Sequence, residues 1–330
     1  MKKCVVLFSG GLDSILAVKI MKEQGFDVNA VFLKLPFLKE DIEFIKDFCK
    51  KDNVKLKIID CSKGKYLQEY LNILKNPKYG RGVGFNPCID CKILMLKQAK
   101  NIMTEVKASF IATGEVLGQR PMSQQRQSLK RIEEESGLKG LLVRPLSALL
   151  LASTIPQEKG WLREEFLFDI QGRGRRRQID LAKEWGVEEY PWPGGGCLLT
   201  DSHFCRRLKD LLKYDKLSIE DIELLKLGRH FRITPDFKLI VGRDKEENEK
   251  LFSLAKKEDL LFEPKNLPGP TGIGRGLAGE ELKDIAARII ARYTSLDLEV
   301  EVVCRTVSRK NGELISAKGV DERQLKEWIV

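Results

Sequence analysis

Apolar positions in the first half of the chain come in two rhythms. Cys4, Val5, Val6, Leu7 and Phe8 form a short continuous run closed by Ser9, Gly10 and Gly11, while Ile15, Leu16, Ala17, Val18, Ile20 and Met21 carry a longer stretch towards Gly25. A brief β-branched run before paired glycines predicts a buried parallel strand, and the longer stretch with a terminal glycine predicts a helix. The alternation continues with a strand from Val28 to Leu33, a helix from Asp41 to Lys50 and a strand from Val54 to Asp60. Helices follow from Tyr66 to Leu74 and from Ile89 to Thr104. Strands from Phe110 to Thr113 and from Leu141 to Arg144 then flank a polar helix from Ser123 to Glu135. Strand and helix in turn predict an α/β fold, a doubly wound parallel sheet with helices on its faces.

Beyond Thr154 the pattern turns helical and basic as far as Leu208. A second, smaller α+β module is expected from about Ile219 or Leu227, with strands at Phe237 to Val241 and Leu298 to Val303 and an amphipathic helix from Glu280 to Arg292. The run from Leu267 to Gly274 reads as a glycine- and proline-rich turn. The expected division is residues 1–172, a basic connector over 173–225 that carries Cys197, and residues 226–330.

Composition narrows the class. With 330 residues, 42% hydrophobic and 32% charged, the chain has a core to fill and is not of the disordered type. No apolar run is long enough for a signal peptide or a membrane span, so a cytoplasmic protein without membrane attachment is expected. The formal charge of +10 favours an acidic partner, nucleic acid first. Arg173, Arg175, Arg176 and Arg177 form one cluster, and Arg206 with Arg207 a second; either is a solvated helix face or a clamp on RNA phosphates. Trp185 and Tyr190 are expected to pack rather than stack on a base. His203 and His230 are the only histidines, which argues against a histidine general base.

The string Ser9-Gly10-Gly11-Leu12-Asp13-Ser14 sits where strand meets helix. Two glycines allow close backbone approach, and the start of a helix directs unpaired N–H groups and a positive dipole end at whatever lies above, which suits a phosphate. Ser9 and Ser14 add hydroxyl donors, and Asp13 suits a magnesium ion bridging phosphate oxygens. The lysine of the Walker loop and the third glycine of the dinucleotide fingerprint are both missing.

Eight cysteines in a reducing compartment are not a disulfide framework. Cys4, Cys49 and Cys304 read as buried thiols. Asn86-Pro87-Cys88-Ile89-Asp90-Cys91 is a C-x-x-C pair at the start of a helix, open to redox, zinc or iron–sulfur readings. Cys197 follows Pro193 and three glycines, a backbone able to wrap a bulky ligand. Cys88, Cys91 and Cys197 would hold three corners of a [4Fe–4S] cluster. Zinc would need a fourth ligand, Cys205 or His203.

SGGLDS resembles the signature of the PP-loop ATP pyrophosphatases. With Gly114-Glu115-Val116-Leu117-Gly118-Gln119, Ser123-Gln124 and Arg144-Pro145-Leu146, it is similar to the PP-loop domain of tRNA 4-thiouridine synthetases. Asn86-Pro87 with Cys91 and a distant Cys197 is similar to the tRNA 2-thiouridylases, and the added Cys88 matches the iron–sulfur tRNA thiolation enzymes. The resemblance spans roughly the first 200 residues. Val241-Gly242-Arg243, Asn248, Asp259 and Pro268-Gly269-Pro270 look like the RNA-binding domain of the NFACT proteins.

The resemblance implies ATP at Ser9, Gly10, Gly11, Asp13, Ser14, Gly114 and Gln119, with adenine near Phe32, and magnesium on Asp13. It implies catalysis by Asp13, Cys91 and Cys197, tRNA as substrate, and sulfide or a cysteine desulfurase as sulfur donor. A uridine oxygen at C2 or C4 would be adenylated and replaced by sulfur, delivered on the cluster or as a persulfide on Cys197. A PP-loop ligase for a small molecule, with a zinc-bound cysteine set, and a non-enzymatic RNA-binding protein with a relic loop are the alternatives.

Overall fold

The computed structural model describes residues 1–38, 41–190, 196–214, 218–295, 298–309 and 311–330. Contacts divide the chain into two compact units, Met1–Thr200 and Asp201–Val330. Of the connector expected over 173–225, residues up to Thr200 pack in the first unit and the remainder in the second.

In the first unit five parallel strands form a sheet of order β3-β2-β1-β4-β5: β1 Lys3–Leu7, β2 Asp27–Lys34, β3 Lys55–Asp60, β4 Phe110–Thr113 and β5 Leu142–Val143. Helices α1 Leu12–Glu23, α2 Ile42–Lys51, α3 Gly64–Lys75, α4 Cys88–Glu105 and α5 Arg126–Glu135 intervene, followed by α6 Ile155–Glu158 and α7 Arg176–Glu184. The fold is the expected doubly wound α/β sheet. Its central strand explains the continuous apolar run at the N-terminus: Val5 and Val6 are fully buried because helices cover both faces. The chain winds one way from β1 to β3 and the other from β4 to β5. The crevice between the carboxyl ends of β1 and β4 is therefore the switch point, where such sheets bind ligands. Cys4 and Cys49 lie in this core, as expected of buried thiols. Trp185 and Tyr190 pack against it rather than standing free.

The second unit holds an antiparallel sheet of order β11-β10-β8-β9-β7-β6, formed by β6 Arg229–Thr234, β7 Phe237–Val241, β8 Leu260–Pro264, β9 Gly272–Gly276, β10 Glu299–Thr306 and β11 Glu313–Lys318. It carries α8 Ser202–Tyr214, α9 Ile219–Leu225, α10 Lys245–Leu254, α11 Glu280–Thr294 and α12 Glu322–Trp328. One face is closed by α11, whose Ala286, Ile289 and Ile290 are fully buried against Phe237, Leu239 and Phe262.

The expected turn over 267–274 is corrected here, because Gly272, Ile273 and Gly274 belong to β9. Glycine serves packing at these positions. A Cβ on Gly274 would lie 2.8 Å from Phe237 Cζ and 2.9 Å from Phe262 Cε2, and one on Gly272 would lie 2.7 Å from Ile290 Cδ1. Strand pairing with β7 and β8 outweighs the weak local strand preference of glycine.

Candidate active site

The loop after β1 is built as its glycines foretell. Gly10 adopts φ +75°, a region that a side chain disfavours. Gly11 starts α1 with no side chain capping it, and the loop and first turn, Ser9 to Ser14, line the crevice. Ser14 is buried; its hydroxyl donates to Gly11 O at 2.8 Å and accepts from Ser9 N at 3.2 Å, holding the loop in shape. From the far side of the switch point, Gly114 presses directly on this loop. A Cβ there would stand 2.3 Å from Asp13 O and 2.5 Å from Ser14 N.

Beyond Gly114, Glu115 is almost wholly buried. Its Oε2 accepts from Thr113 Oγ1 at 3.1 Å and from Arg144 Nε at 3.3 Å. Arg144 also donates to Glu133 Oε2 at 3.0 Å and Leu129 O at 3.0 Å, fastening the loop to α5. The other oxygen, Oε1, stands 4.0 Å from Lys92 Nζ. Glu115 and Arg144 lay within the recognised segments, but no local signal in the sequence pairs them across 29 positions.

Asp13 opens into the crevice. Its Oδ2 accepts from Gln119 Nε2 at 2.9 Å, and Arg175 Nη2 stands 3.6 Å away. Its Oδ1 is buried with no hydrogen-bond partner. Burial raises the pKa of this carboxyl, against the lowering effects of Gln119, Arg175 and Arg120. An orphaned buried carboxylate oxygen beside a phosphate-sized loop fits a divalent cation.

The phosphate loop and Asp13 open onto one cavity of about 1310 Å³, ample for a nucleotide with space left over. Its lining includes Ser9 to Ser14, Gly114, Glu115, Arg120 and Arg175, the apolar Leu35, Leu38, Ile42 and Phe44, and the acidic Asp41 and Glu43. Gln119 is not in the lining and meets the site through Asp13. Phe32 is not in the lining either. It is 1% exposed and packed inside the core, because it lies within β2, where helices cover both faces of the sheet, and not past the carboxyl end of the strand. Leu35, just past the end of β2, takes the place expected of it.

Cys88, Cys91 and Cys197 line the same cavity. The first two fall in the opening turn of α4 at spacing i, i+3, so they share one helix face. Asp90 anchors that turn by accepting from Lys78 N at 3.0 Å and Tyr79 N at 3.1 Å. Cys197 arrives from over 100 residues away through a backbone bridge to Leu38, reinforced by Leu198 N donating to Phe37 O at 2.9 Å. Leu199 O accepts from Phe85 N at 2.8 Å, tying the segment to the loop before α4. Pro193, Gly194 and Gly195 of the expected glycine run lie outside the described residues.

Asn86 Nδ2 approaches Cys88 Sγ at 3.0 Å, and Cys91 Sγ contacts Tyr70 Oη at 4.0 Å. Burial, then the neighbouring Cys197, pushes the Cys91 thiol up to about 12; Lys92 opposes this. Burial and the three sulfurs raise the Tyr70 phenol as well, so it stays a neutral donor. Three thiols around one cavity are the donor chemistry of a cluster. Among the described residues no group of three or more His, Cys, Asp or Glu side chains is arranged to hold a single metal ion, as zinc would need. A [4Fe–4S] cluster is a larger group than one ion, and the three thiols expected to hold it, Cys88, Cys91 and Cys197, all line this cavity. Cys205 is buried within α8, and the exposed His203 has its Nδ1 2.7 Å from Arg206 Nη2.

The arginines separate. Arg173, Arg176 and Arg177 are exposed at the start of α7, whereas Arg175 turns into the cavity. Arg206 is exposed. Arg207 donates to Leu225 O at 3.0 Å and is partly buried, a structural role within the second unit. His230 is buried in that unit, its Nε2 2.8 Å from Leu227 O. Among the described residues no helix is long and apolar enough to cross a membrane.

Comparison with known proteins adds two family matches. Residues 2–137 match the tRNA methyl transferase HUP domain, and residues 228–329 match the NFACT protein RNA binding domain. Among curated relatives, the tRNA-specific 2-thiouridylase MnmA 1 of Aliarcobacter butzleri is 28% identical over 119 residues, which are 34% of this chain and 34% of that protein. The tRNA-specific 2-thiouridylase MnmA of Francisella tularensis subsp. novicida is 26% identical over 275 residues, covering 78% of this chain and 72% of that one. The chain thus spans about a third of the first of these relatives. A solved 4-thiouridine synthetase–RNA complex with bound ATP aligns with a TM-score of 0.43 at 22% identity, over 68% of this chain and 52% of that one. Both parts of the resemblance read from the motifs are borne out: a PP-loop unit akin to tRNA thiouridine synthetases, and an NFACT-type RNA-binding domain.

Proposed function

We propose that this chain, which joins a PP-loop unit akin to the tRNA thiouridine synthetases to an NFACT-type domain, is an ATP-dependent tRNA sulfurtransferase. The observation that carries the reading is the convergence of SGGLDS, Gly114 and Glu115 from the loop after β4, and three thiols on one cavity. A phosphate loop alone would serve many ligases; sulfur chemistry beside it is what thiolation needs.

ATP would lie with its phosphates on Ser9 to Ser14 and its adenine against Leu35, Leu38, Ile42 and Phe44. Asp13 would hold magnesium through Oδ1, and the ion would offset charge on the departing pyrophosphate. A uridine carbonyl oxygen, turned out of its stack into the remaining space, attacks the α-phosphorus and releases pyrophosphate. Cys197, loaded as a persulfide by a cysteine desulfurase, would attack the activated carbon through its outer sulfur as AMP leaves. Cys91, which lines the same cavity, would then attack Cys197 Sγ and break the sulfur–sulfur bond, releasing the thiouridine; the resulting Cys91–Cys197 disulfide is returned to two thiols by an external thiol reductant. Alternatively, a [4Fe–4S] cluster held by Cys88, Cys91 and Cys197, which line one cavity, would supply an iron open to sulfide. Exposed Arg173, Arg176, Arg177 and Arg206, with the NFACT-type domain, would grip the tRNA backbone. Eight free cysteines suit a reducing, cytoplasmic setting.

The test is to incubate the purified protein with ATP, magnesium, a cysteine desulfurase with cysteine, a thiol reductant and unmodified tRNA, and to assay nucleosides by mass spectrometry. Thiouridine should form, and C197S and C91S should abolish it, while C88A should leave most of it. Loss of activity in C88A together with about four irons and acid-labile sulfide per chain would favour the cluster route. ATP turnover that ignores RNA would instead select the small-molecule ligase.

A further inference from the structure

Arg175 stands in a cluster that charge alone assigns to nucleic acid, yet its neighbours and its own side chain part company. Gly172, at φ +82°, donates its N–H to Leu117 O at 2.7 Å, and Gln171 forms a bridge with Leu117. The segment before α7 is thereby pinned to the loop that carries Gln119, the residue that holds Asp13. From that anchor Arg175, the residue preceding α7, lays its guanidinium beside Asp13 at 3.6 Å, with side-chain exposure of 19%, while Arg173, Arg176 and Arg177 face solvent.

Arg120 and Arg175 line the same cavity as the phosphate loop, Ser9 to Ser14, and both act on the Asp13 carboxyl. Two guanidinium groups beside Asp13 set positive charge where polyphosphate would lie. A guanidinium offers a planar fork suited to phosphate oxygens, and Asp13 is the only acidic group that pairs with Arg175 among the described residues.

We propose that Arg175 is a polyphosphate-binding residue, which leaves its pairing with Asp13 in part to hold the terminal phosphates of the nucleotide, and is not part of the RNA clamp. This rests on the ATP site proposed above and deepens it. When ATP is cleaved, Arg175 stays with the pyrophosphate and offsets its charge, in concert with Arg120.

The experiment measures binding of inorganic pyrophosphate, of ATP and of tRNA, each alone, to the full chain and to R175A and R175K, with melting curves to verify folding. In R175A pyrophosphate and ATP should bind about 10- to 100-fold more weakly, the range for one charge-assisted hydrogen-bonded contact. R175K should recover part of this, and tRNA affinity should change less than about twofold. Unchanged pyrophosphate affinity, or a loss confined to tRNA, overturns the assignment. If R175A does not fold, R175K carries the test: retained charge without the fork should still weaken pyrophosphate binding, and wild-type affinity would overturn the proposal. Failure of the unaltered chain to bind ATP or pyrophosphate would instead overturn the ATP site on which both readings stand.

Discussion

At the scale of single residues, Gly114 and Cys91 show how little room the site allows. A methyl group at Gly114 meets backbone atoms of Asp13 and Ser14, which cannot rotate aside as a side chain would. G114A should therefore displace the phosphate loop, weaken ATP binding by at least about tenfold and destabilise the fold by about 1–3 kcal/mol, an overpacking cost; nucleotide titration and urea unfolding read the two effects. Wild-type ATP affinity in G114A would mean that the loop is softer than its contacts imply. Cys91 titrates in the opposite sense to an activated thiol. With its constant raised to about 12, its thiolate fraction at neutral pH is minute, and it should grow about tenfold per pH unit from about pH 7 to pH 10. Alkylation of Cys91, mapped by mass spectrometry in C88A/C197S, should follow that slope without levelling near pH 9. C197S removes the second cause of the shift but leaves burial, the larger one, in place.

At the scale of elements, β9 is decided by its neighbours. Gly272 and Gly274 lend no strand propensity of their own, but aromatic rings and Ile290 occupy the space where side chains would stand. G274A should lower stability by about 1–3 kcal/mol, the range for overpacking a core, seen as a reduced melting temperature of the C-terminal unit while ATP binding by the N-terminal unit persists. Equal loss in both units would contradict a fault confined to this sheet. The turn of α4 follows the same logic in reverse: Asp90 satisfies two backbone donors of the preceding loop, and that loop in turn meets the Cys197 segment through Phe85. Position in the fold, more than local sequence, brings Cys197 to the cavity.

For the molecule as a whole, charge sets the expected behaviour towards RNA. A chain of net charge +10 with exposed arginines and an NFACT-type domain should bind tRNA mainly through phosphates. Affinity should fall by about 10³ between roughly 50 and 200 mM salt. A filter-binding series that stayed flat would argue against phosphate recognition.

Sequence by itself determined the alternation of strand and helix, the phosphate loop at the end of β1, the grouping of Cys88 with Cys91 and the presence of a second module. Each is written in short-range periodicity or spacing, where one or two turns of backbone carry the information. Only the tertiary structure decided that Phe32 faces the core, that Arg175 leaves its cluster for Asp13, that Gly272–Gly276 is a strand, and that Cys197 lines the same cavity as Cys88 and Cys91. The reason is physical. Which face of a strand is covered, which loop a glycine presses on and how far two sulfurs stand apart depend on contacts between residues tens to hundreds of positions apart, and no local pattern encodes those distances.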